Sequence, residues 1–234
     1  MNIDLTLMNR DKNKKERIQN VSKVTQFSHE DIKNHFRENI ESIKNSFEIL
    51  EDNNLNEDHK QNILRSQIMF LDSALDFYMH EITKYGMKKM YDGQWDRTEK
   101  YLNVKINLDD MHIIEDENAK DFFNDIINKS ISSETFMSAT SIMNQFKLLG
   151  FNIDNILNVA FYKSGDNVST REKFKVLING LYNRRNKIAH QSDRNPANSE
   201  KSSIDREFVE KNIDIVIKFV SAIDTEIIRK DEEI

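Results

Sequence analysis

Hydrophobic side chains recur every three or four residues along most of the chain, which is the spacing of amphipathic helices. The first clear stripe follows a capping sequence at residues 28–31, and its apolar members are Ile32, Phe36, Ile40, Ile43, Phe47 and Leu50. A second stripe predicts a long helix over residues 57–90, with an inward face of Ile63, Leu64, Ile68, Leu71, Leu75, Tyr78, Ile82 and Tyr85. The length of this second helix predicts a central place in the fold.

Shorter stripes divide the second half of the chain. The pattern predicts helices at about 116–128, 138–149 and 153–162, and Gly150 is placed to cap the second of them. Residues 169–172 form a further capping sequence, which opens a helix with a buried side of Phe174, Leu177, Ile178, Leu181, Tyr182 and Ile188. After a polar loop, the last helix presents Phe208, Val209, Ile213, Val216, Phe219, Val220, Ile223 and Ile227.

Two regions depart from the helical pattern. Residues 1–27 are polar with weak periodicity and predict a flexible or marginally helical arm, which leaves 28–234 as one helical domain with a core at about 60–228. Residues 104–108 alternate apolar and polar side chains, which favours a short extended piece. Because only one proline and five glycines interrupt the 234 residues, the sequence predicts an all-α fold.

Composition limits the chemistry that such a fold can carry. The chain has no cysteine, which excludes disulfides, thiolate catalysis and every metal site with a cysteine ligand. A net charge of -6 argues against coating of nucleic acid by the whole surface, so a nucleic-acid site must be a local basic patch. No apolar run approaches the roughly 18 to 20 residues of a membrane span. The N-terminus also lacks the features of a secretory signal, so we expect a cytoplasmic protein.

One predicted helix carries an unusual set of polar residues, the stretch LYNRRNKIAH at 181–190. Asn186 and His190 are four residues apart and lie on one helix face, within hydrogen-bonding reach. Arg185 lies about 140° around an ideal helix from His190, so the two share an edge only if the helix end distorts or a second subunit contributes. Histidine can act as acid or base near neutral pH, and arginine can hold two phosphate oxygens. The set predicts a composite site for metal-independent RNA cleavage.

The same residues carry a family resemblance. Residues 185–190 fit the R-[polar]-x-x-x-H signature of the HEPN superfamily, and LYNRRNKIAHQSDR resembles its RiboL-PSP-HEPN-like branch. Residues 64–81 and 141–151 are similar to the first core helix and the middle segment of that branch, so the similarity covers roughly 60–228. The resemblance implies an up-and-down helical bundle of HEPN type, here with an N-terminal helical extension. It also implies a homodimer in which the two motifs face each other.

By the same resemblance, the protein is a metal-independent endoribonuclease that leaves a 2′,3′-cyclic phosphate, as in toxin-antitoxin modules, phage defence and RNA processing. Arg185 would hold the scissile phosphate, His190 would be the acid or base, and Asn186 would orient the histidine or the substrate. The basic neighbours Arg184, Lys187 and Arg194 are candidate substrate contacts. We expect no cofactor and no metal. The expected partners are RNA, a second copy of the chain and an antitoxin or defence-system protein, and no membrane.

Two departures from the pattern limit this inference. Toxins paired with a nucleotidyltransferase antitoxin commonly carry R-x4-H-x-Y, but Ser192 stands at the tyrosine position, so control by adenylylation does not transfer. Gln191 stands where the branch often has glycine, which bears on the local turn. Three alternatives stay open: cations that only complement a helix dipole, a non-catalytic HEPN module for dimerisation or nucleotide binding, and an antitoxin or adaptor that binds a partner protein.

Other titratable residues have simpler interpretations. His80 and Asp76 are spaced as a surface pair on a helix, and no third metal ligand is visible. The remaining histidines outside the motif have no partner in the sequence and are expected to be solvated; they are His29, His35, His59 and His112. Asp72 lies on the core side of the long helix, so it is a candidate buried support for the motif, against a plain exposed aspartate.

Overall fold

The computed structural model describes residues 26–52, 54–105, 126–128, 130–131 and 134–233, and in these residues the chain is an all-α bundle. The helices are α1 (His29–Ile49), α2 (Glu57–Tyr91), α3 (Glu99–Leu102), α4 (Ala139–Leu149), α5 (Ile153–Phe161), α6 (Thr170–Gln191) and α7 (Arg206–Glu232). The predicted fold class is confirmed. The arm before residue 26, His112, most of the proposed extended piece and most of the predicted helix at 116–128 lie outside the described residues.

The start of α1 shows how the sequence sets a helix end. Ser28 Oγ accepts a hydrogen bond from Asp31 N at 3.1 Å, and Asp31 Oδ2 accepts one from Ser28 N at 3.2 Å. This reciprocal capping box satisfies backbone groups that have no partner inside the helix. The buried members of the predicted stripe are Ile32, Phe36, Ile40, Ile43 and Phe47, and α1 packs mainly against α2.

The central position predicted for α2 is confirmed, because this helix packs against α1, α4, α6 and α7. Its midsection is inaccessible to solvent, with Ile68, Leu71, Leu75, Tyr78 and Ile82 fully buried. Gly86 allows the closest approach: a Cβ atom there would lie 2.6 Å from Leu149 Cδ2 and 2.7 Å from Trp95 Cζ3. The glycine therefore lets α4 and the tryptophan pack directly on the backbone of α2.

Phenylalanines join the second half of the bundle. Phe174 and Phe219 have ring centroids 5.1 Å apart, and Phe146 and Phe161 pack on the same cluster, which links α4, α5, α6 and α7. Gly150 caps α4 in the left-handed conformation (φ 66°), as predicted. The burial predicted for Phe208 is wrong. It lies in the first turn of α7, is 37% exposed, and has its ring 6.0 Å from the Arg184 guanidinium.

Two of the histidines expected to be solvated are not. His29 Nε2 lies 2.8 Å from Asp224 Oδ1, and the buried Tyr78 hydroxyl donates to the same oxygen at 2.7 Å. His35 is half-buried, and its ring packs edge-on against Phe27 at 4.7 Å. The partner of His29 is 195 residues away along the chain, which explains why sequence spacing did not show it. His59 is exposed, as expected.

No helix among the described residues is long and apolar enough to cross a membrane.

Candidate functional site

The last turns of α6 border an open groove of about 600 Å³. The helix contributes Tyr182, Asn183, Arg185, Asn186, Lys187, His190 and Gln191, and the opposite wall is made by Thr135 and Met137, just before α4. The groove thus brings together four of the residues singled out in the sequence: Arg185, Asn186, Lys187 and His190. Arg185 and His190 border it within a single chain, although they project from different sides of the helix.

A buried carboxyl group lies beside Arg185. Asp72, on α2, is fully buried, and its Oδ2 lies 3.4 Å from Arg185 Nε. Neither carboxylate oxygen has a hydrogen-bond partner among the described residues. Burial raises the pKa of Asp72 to about 7; Arg185 opposes this rise, and the neighbouring Asp76 adds to it. Of the two alternatives for Asp72, the structure shows the buried one, and its support of the motif stays a prediction.

The amide of Asn186 is turned toward the arginine. Arg185 Nη1 donates to Asn186 Oδ1 at 3.1 Å. His190 is exposed and has no hydrogen-bond partner among the described residues, so the hydrogen bond to Asn186 that the spacing allows is not formed within one chain. The imidazole is therefore exposed in the last turn of α6, at the border of the groove.

The opposite wall of the groove is anchored to α2 and α6. Asp76 Oδ1 accepts a hydrogen bond from Phe136 N at 2.6 Å, and Asn179 Oδ1 accepts one from Ala139 N at 3.0 Å. The other oxygen of Asp76 lies 3.7 Å from His80 Nε2. The described residues contain no group of three or more His, Asp or Glu side chains that could hold a metal ion. The role of Asp76 as a wall anchor was missed from the sequence, because its partner Phe136 is 60 residues away along the chain.

Arg184 points away from the groove. Its Nη2 forms an ion pair with the buried Asp193 at 2.8 Å and donates to the Ser203 carbonyl at 2.9 Å. Asp193 also accepts a hydrogen bond from Arg65 Nε of α2 at 2.8 Å. This network weighs against the substrate contact predicted for Arg184. Arg65 and Asp193 were not among the residues predicted from the sequence.

The other two basic candidates are placed differently from each other. Lys187 is exposed at the groove. Arg194 lies in the loop after α6, where its Nη1 donates to the Ser199 carbonyl, and it does not border the groove. Of the three basic residues predicted to contact substrate, only Lys187 is positioned to do so in a single chain.

Comparison with known proteins gives one match. No curated protein and no solved structure matches the chain. The sequence model of the RiboL-PSP-HEPN family matches residues 34–229, a range that starts within α1 and ends within α7. The match thus begins earlier than the resemblance that the motif and its neighbours carry, and it includes most of α1. The chain belongs to the RiboL-PSP-HEPN family.

Proposed function

We propose that the protein is a metal-independent endoribonuclease that binds RNA in the groove beside α6. The observation that carries the proposal is the meeting of Arg185, Asn186 and His190 at one solvent-open groove, in a chain of a HEPN family. A guanidinium group and an accessible imidazole are the two groups that phosphodiester cleavage without metal requires most.

The reaction is an attack of the ribose 2′-oxygen on the adjacent phosphorus. The P–O5′ bond breaks, and the products are a 2′,3′-cyclic phosphate and a 5′-hydroxyl. One group must accept the 2′-hydroxyl proton and another must donate a proton to the leaving 5′-oxygen. His190 can do either near neutral pH, because imidazole has an unperturbed pKa of about 6.5.

Arg185 is oriented to bind the phosphate. Its Nε faces Asp72 and one Nη1 hydrogen is bound by Asn186, while Nη2 has no protein partner among the described residues. The outer side of the guanidinium can therefore donate to the non-bridging oxygens, where negative charge accumulates in the transition state. Lys187 adds positive charge at the same groove.

The groove also has an apolar part that suits a nucleobase. Tyr182 lies one turn before Arg185 on α6, and Met137 lies in the opposite wall. Unpaired bases commonly stack on aromatic side chains, and such stacking tolerates any base. We infer that a base next to the bound phosphate stacks on Tyr182, which favours single-stranded RNA as substrate.

A complete site needs a second copy of the chain. Cleavage requires two proton transfers, and among the described residues His190 is the one histidine that borders the groove of a chain. We propose a homodimer with the two motifs facing each other, so that one His190 acts as base and the other as acid.

In the cell such an enzyme would act as a toxin or phage-defence effector on RNA in the cytoplasm, and an antitoxin or partner protein would inhibit it.

The decisive experiment is cleavage of total RNA in excess EDTA by the parent protein, Arg185→Ala and His190→Ala. We expect the parent to leave cyclic-phosphate ends and each variant to lose at least roughly 10²-fold in rate. Arg171→Ala and His59→Ala are matched controls, because both residues are exposed and neither borders the groove. Arg171 lies at the other end of α6 and pairs with Asp154.

Three outcomes would replace the proposal. If the folded parent cuts no RNA, the nuclease function is wrong. Binding of nucleotide without turnover would then indicate a non-catalytic HEPN module. A stable complex with another protein, together with no effect of His190→Ala on growth inhibition, would indicate an antitoxin or adaptor.

A further inference from the structure

The chain leaves α6 through two strained residues. Ser192 and Asp193 both have positive φ, at 49° and 59°. This left-handed region is unfavourable for residues that carry a Cβ atom, and such residues persist only where surrounding contacts hold them. His190 lies in the last turn before this bend, so whatever fixes the bend also fixes the end of the helix that carries the imidazole.

A buried carboxylate between two arginines holds the bend. Asp193 is fully buried; its Oδ2 accepts from Arg65 Nε at 2.8 Å and lies 2.8 Å from Arg184 Nη2. Arg65 belongs to α2 and is 5% exposed, whereas Arg184 belongs to α6. The backbone contributes as well, because Asp193 N donates to the Lys187 carbonyl at 2.9 Å. Asp193 thus joins the bend to two helices.

The same arginines hold the far side of the loop. Arg65 Nη2 donates to the Ser202 carbonyl at 2.8 Å, and Arg184 Nη2 donates to the Ser203 carbonyl at 2.9 Å. Ser202 N donates in turn to the Asp193 carbonyl at 2.8 Å. We call Arg65, Arg184 and Asp193 the loop clamp. It closes the loop at its base, next to the catalytic motif.

We propose that Asp193 and Arg65 are positioning residues that set the placement of His190 relative to Arg185, an inference that rests on the proposed function. Neither side chain borders the groove, so neither can touch the substrate. They act through the end of α6. Arg184, the residue before Arg185, joins the arginine end of the motif to the same carboxylate.

A second contact between the loop and α2 separates this role from simple loop attachment. Lys201 Nζ lies 3.1 Å from Asp58 Oδ1, and both side chains are exposed. This pair also joins the loop to α2 but does not contact the bend after His190. Lys201→Gln is therefore a matched control for loss of a charged contact from the same loop.

The test compares Asp193→Asn, Arg65→Gln and Lys201→Gln with the parent as full-length chains. Three quantities are measured: affinity for a single-stranded RNA, the single-turnover cleavage rate across pH, and amide hydrogen exchange at residues 187–193. We expect the two clamp variants to bind RNA within about 3-fold of the parent but to cleave at least about 10-fold more slowly, with faster exchange, since small misplacements cost up to about 10²-fold. Lys201→Gln should match the parent in all three.

The inference is overturned if folded Asp193→Asn and Arg65→Gln cleave at the parental rate, or if affinity falls in step with cleavage. Asp193→Asn leaves the buried Arg65 and the half-buried Arg184 without a counter-charge, so it can fail to fold. Arg65→Gln then decides, because it keeps the pair between Arg184 and Asp193. If the parent cuts no RNA, the proposed function fails instead. Unchanged exchange at 187–193 in the clamp variants would in that case still overturn the positioning role.

Discussion

Asp72 is a buried carboxyl group to which none of the described residues gives a hydrogen bond. Its pKa is raised to about 7, mainly by burial, from an ordinary value of 3.8. Because the folded protein keeps the proton at pH values where the unfolded chain has lost it, the stabilisation from this group is fully present below pH ~4. It is lost progressively as the pH rises to about 7.

Asp72→Asn should flatten this pH dependence. With a shift of about 3 pKa units at about 1.4 kcal/mol each, the parent should lose up to roughly 4 kcal/mol of unfolding free energy between pH ~4 and ~7 that the variant does not lose. Urea unfolding at several pH values measures the difference. Asp154→Asn, at an exposed carboxylate of α5, is the control. If the free energy of unfolding changed equally with pH in the parent and in Asp72→Asn, the raised pKa of Asp72 would be contradicted.

Tyr182 should contribute to RNA affinity through its ring and not through its hydroxyl. Tyr182→Ala should weaken binding of single-stranded RNA by about 5- to 150-fold, in line with ~1 to 3 kcal/mol per stacked base. Tyr182→Phe should bind as the parent does. Binding is measured in the His190→Ala background so that cleavage does not interfere. A similar loss in both tyrosine variants would exclude stacking.

At this scale, sequence reasoning finds contacts that are local and misses those that are distant. Arg185, Asn186 and His190 lie within two turns of one helix, so their spacing could be read directly. Arg65 and Asp193 are 128 residues apart, and only the folded chain shows that they meet. The hydrogen bond between Arg185 and Asn186 was not predicted either, because the helical spacing favours a contact of Asn186 with His190, four residues on, over one with its direct neighbour.

Among the helices, the boundaries set by local chemistry agree with prediction. α1 begins directly after its N-cap Ser28, α2 covers 57–91 against a predicted 57–90, and α4 ends before Gly150. At the start of α6, one of the two hydrogen bonds of the predicted capping box forms, in which Ser169 Oγ accepts from Glu172 N at 3.2 Å. The four-residue α3 was not predicted, because it has too few residues to show a periodicity.

Two helical glycines should respond oppositely to alanine. At Gly86 the added Cβ would lie 2.6 Å from Leu149 Cδ2, so Gly86→Ala should destabilise the protein by ~1 to 3 kcal/mol through overpacking. At Gly180 of α6 nothing lies within 4 Å of the added atom. Gly180→Ala should therefore stabilise by roughly 0.5 to 1 kcal/mol, because alanine favours the helix. Denaturant unfolding of both variants checks this, and stabilisation by both would show that α2 and α4 pack more loosely.

At the scale of the whole molecule, an active site shared by two subunits predicts how activity changes when parental and variant chains are mixed. If each cleavage uses His190 from both subunits, only dimers with two parental chains are active. Randomly assembled mixtures of equal amounts of parent and His190→Ala should then retain about a quarter of the parental activity. Independent sites would retain about half. Co-expression with two affinity tags, followed by RNA cleavage assays on the mixed and purified heterodimers, separates the two cases.

The single tryptophan of the chain gives the molecule its own spectroscopic signal. Trp95 is 4% exposed; its Nε1 donates to Asp231 of α7 at 3.0 Å, and its ring packs near Phe151. None of these residues borders the groove. Indole fluorescence should therefore shift to longer wavelength when the bundle opens and stay constant when RNA binds. One emission spectrum can thus distinguish a variant that has lost its fold from one that has lost only its chemistry.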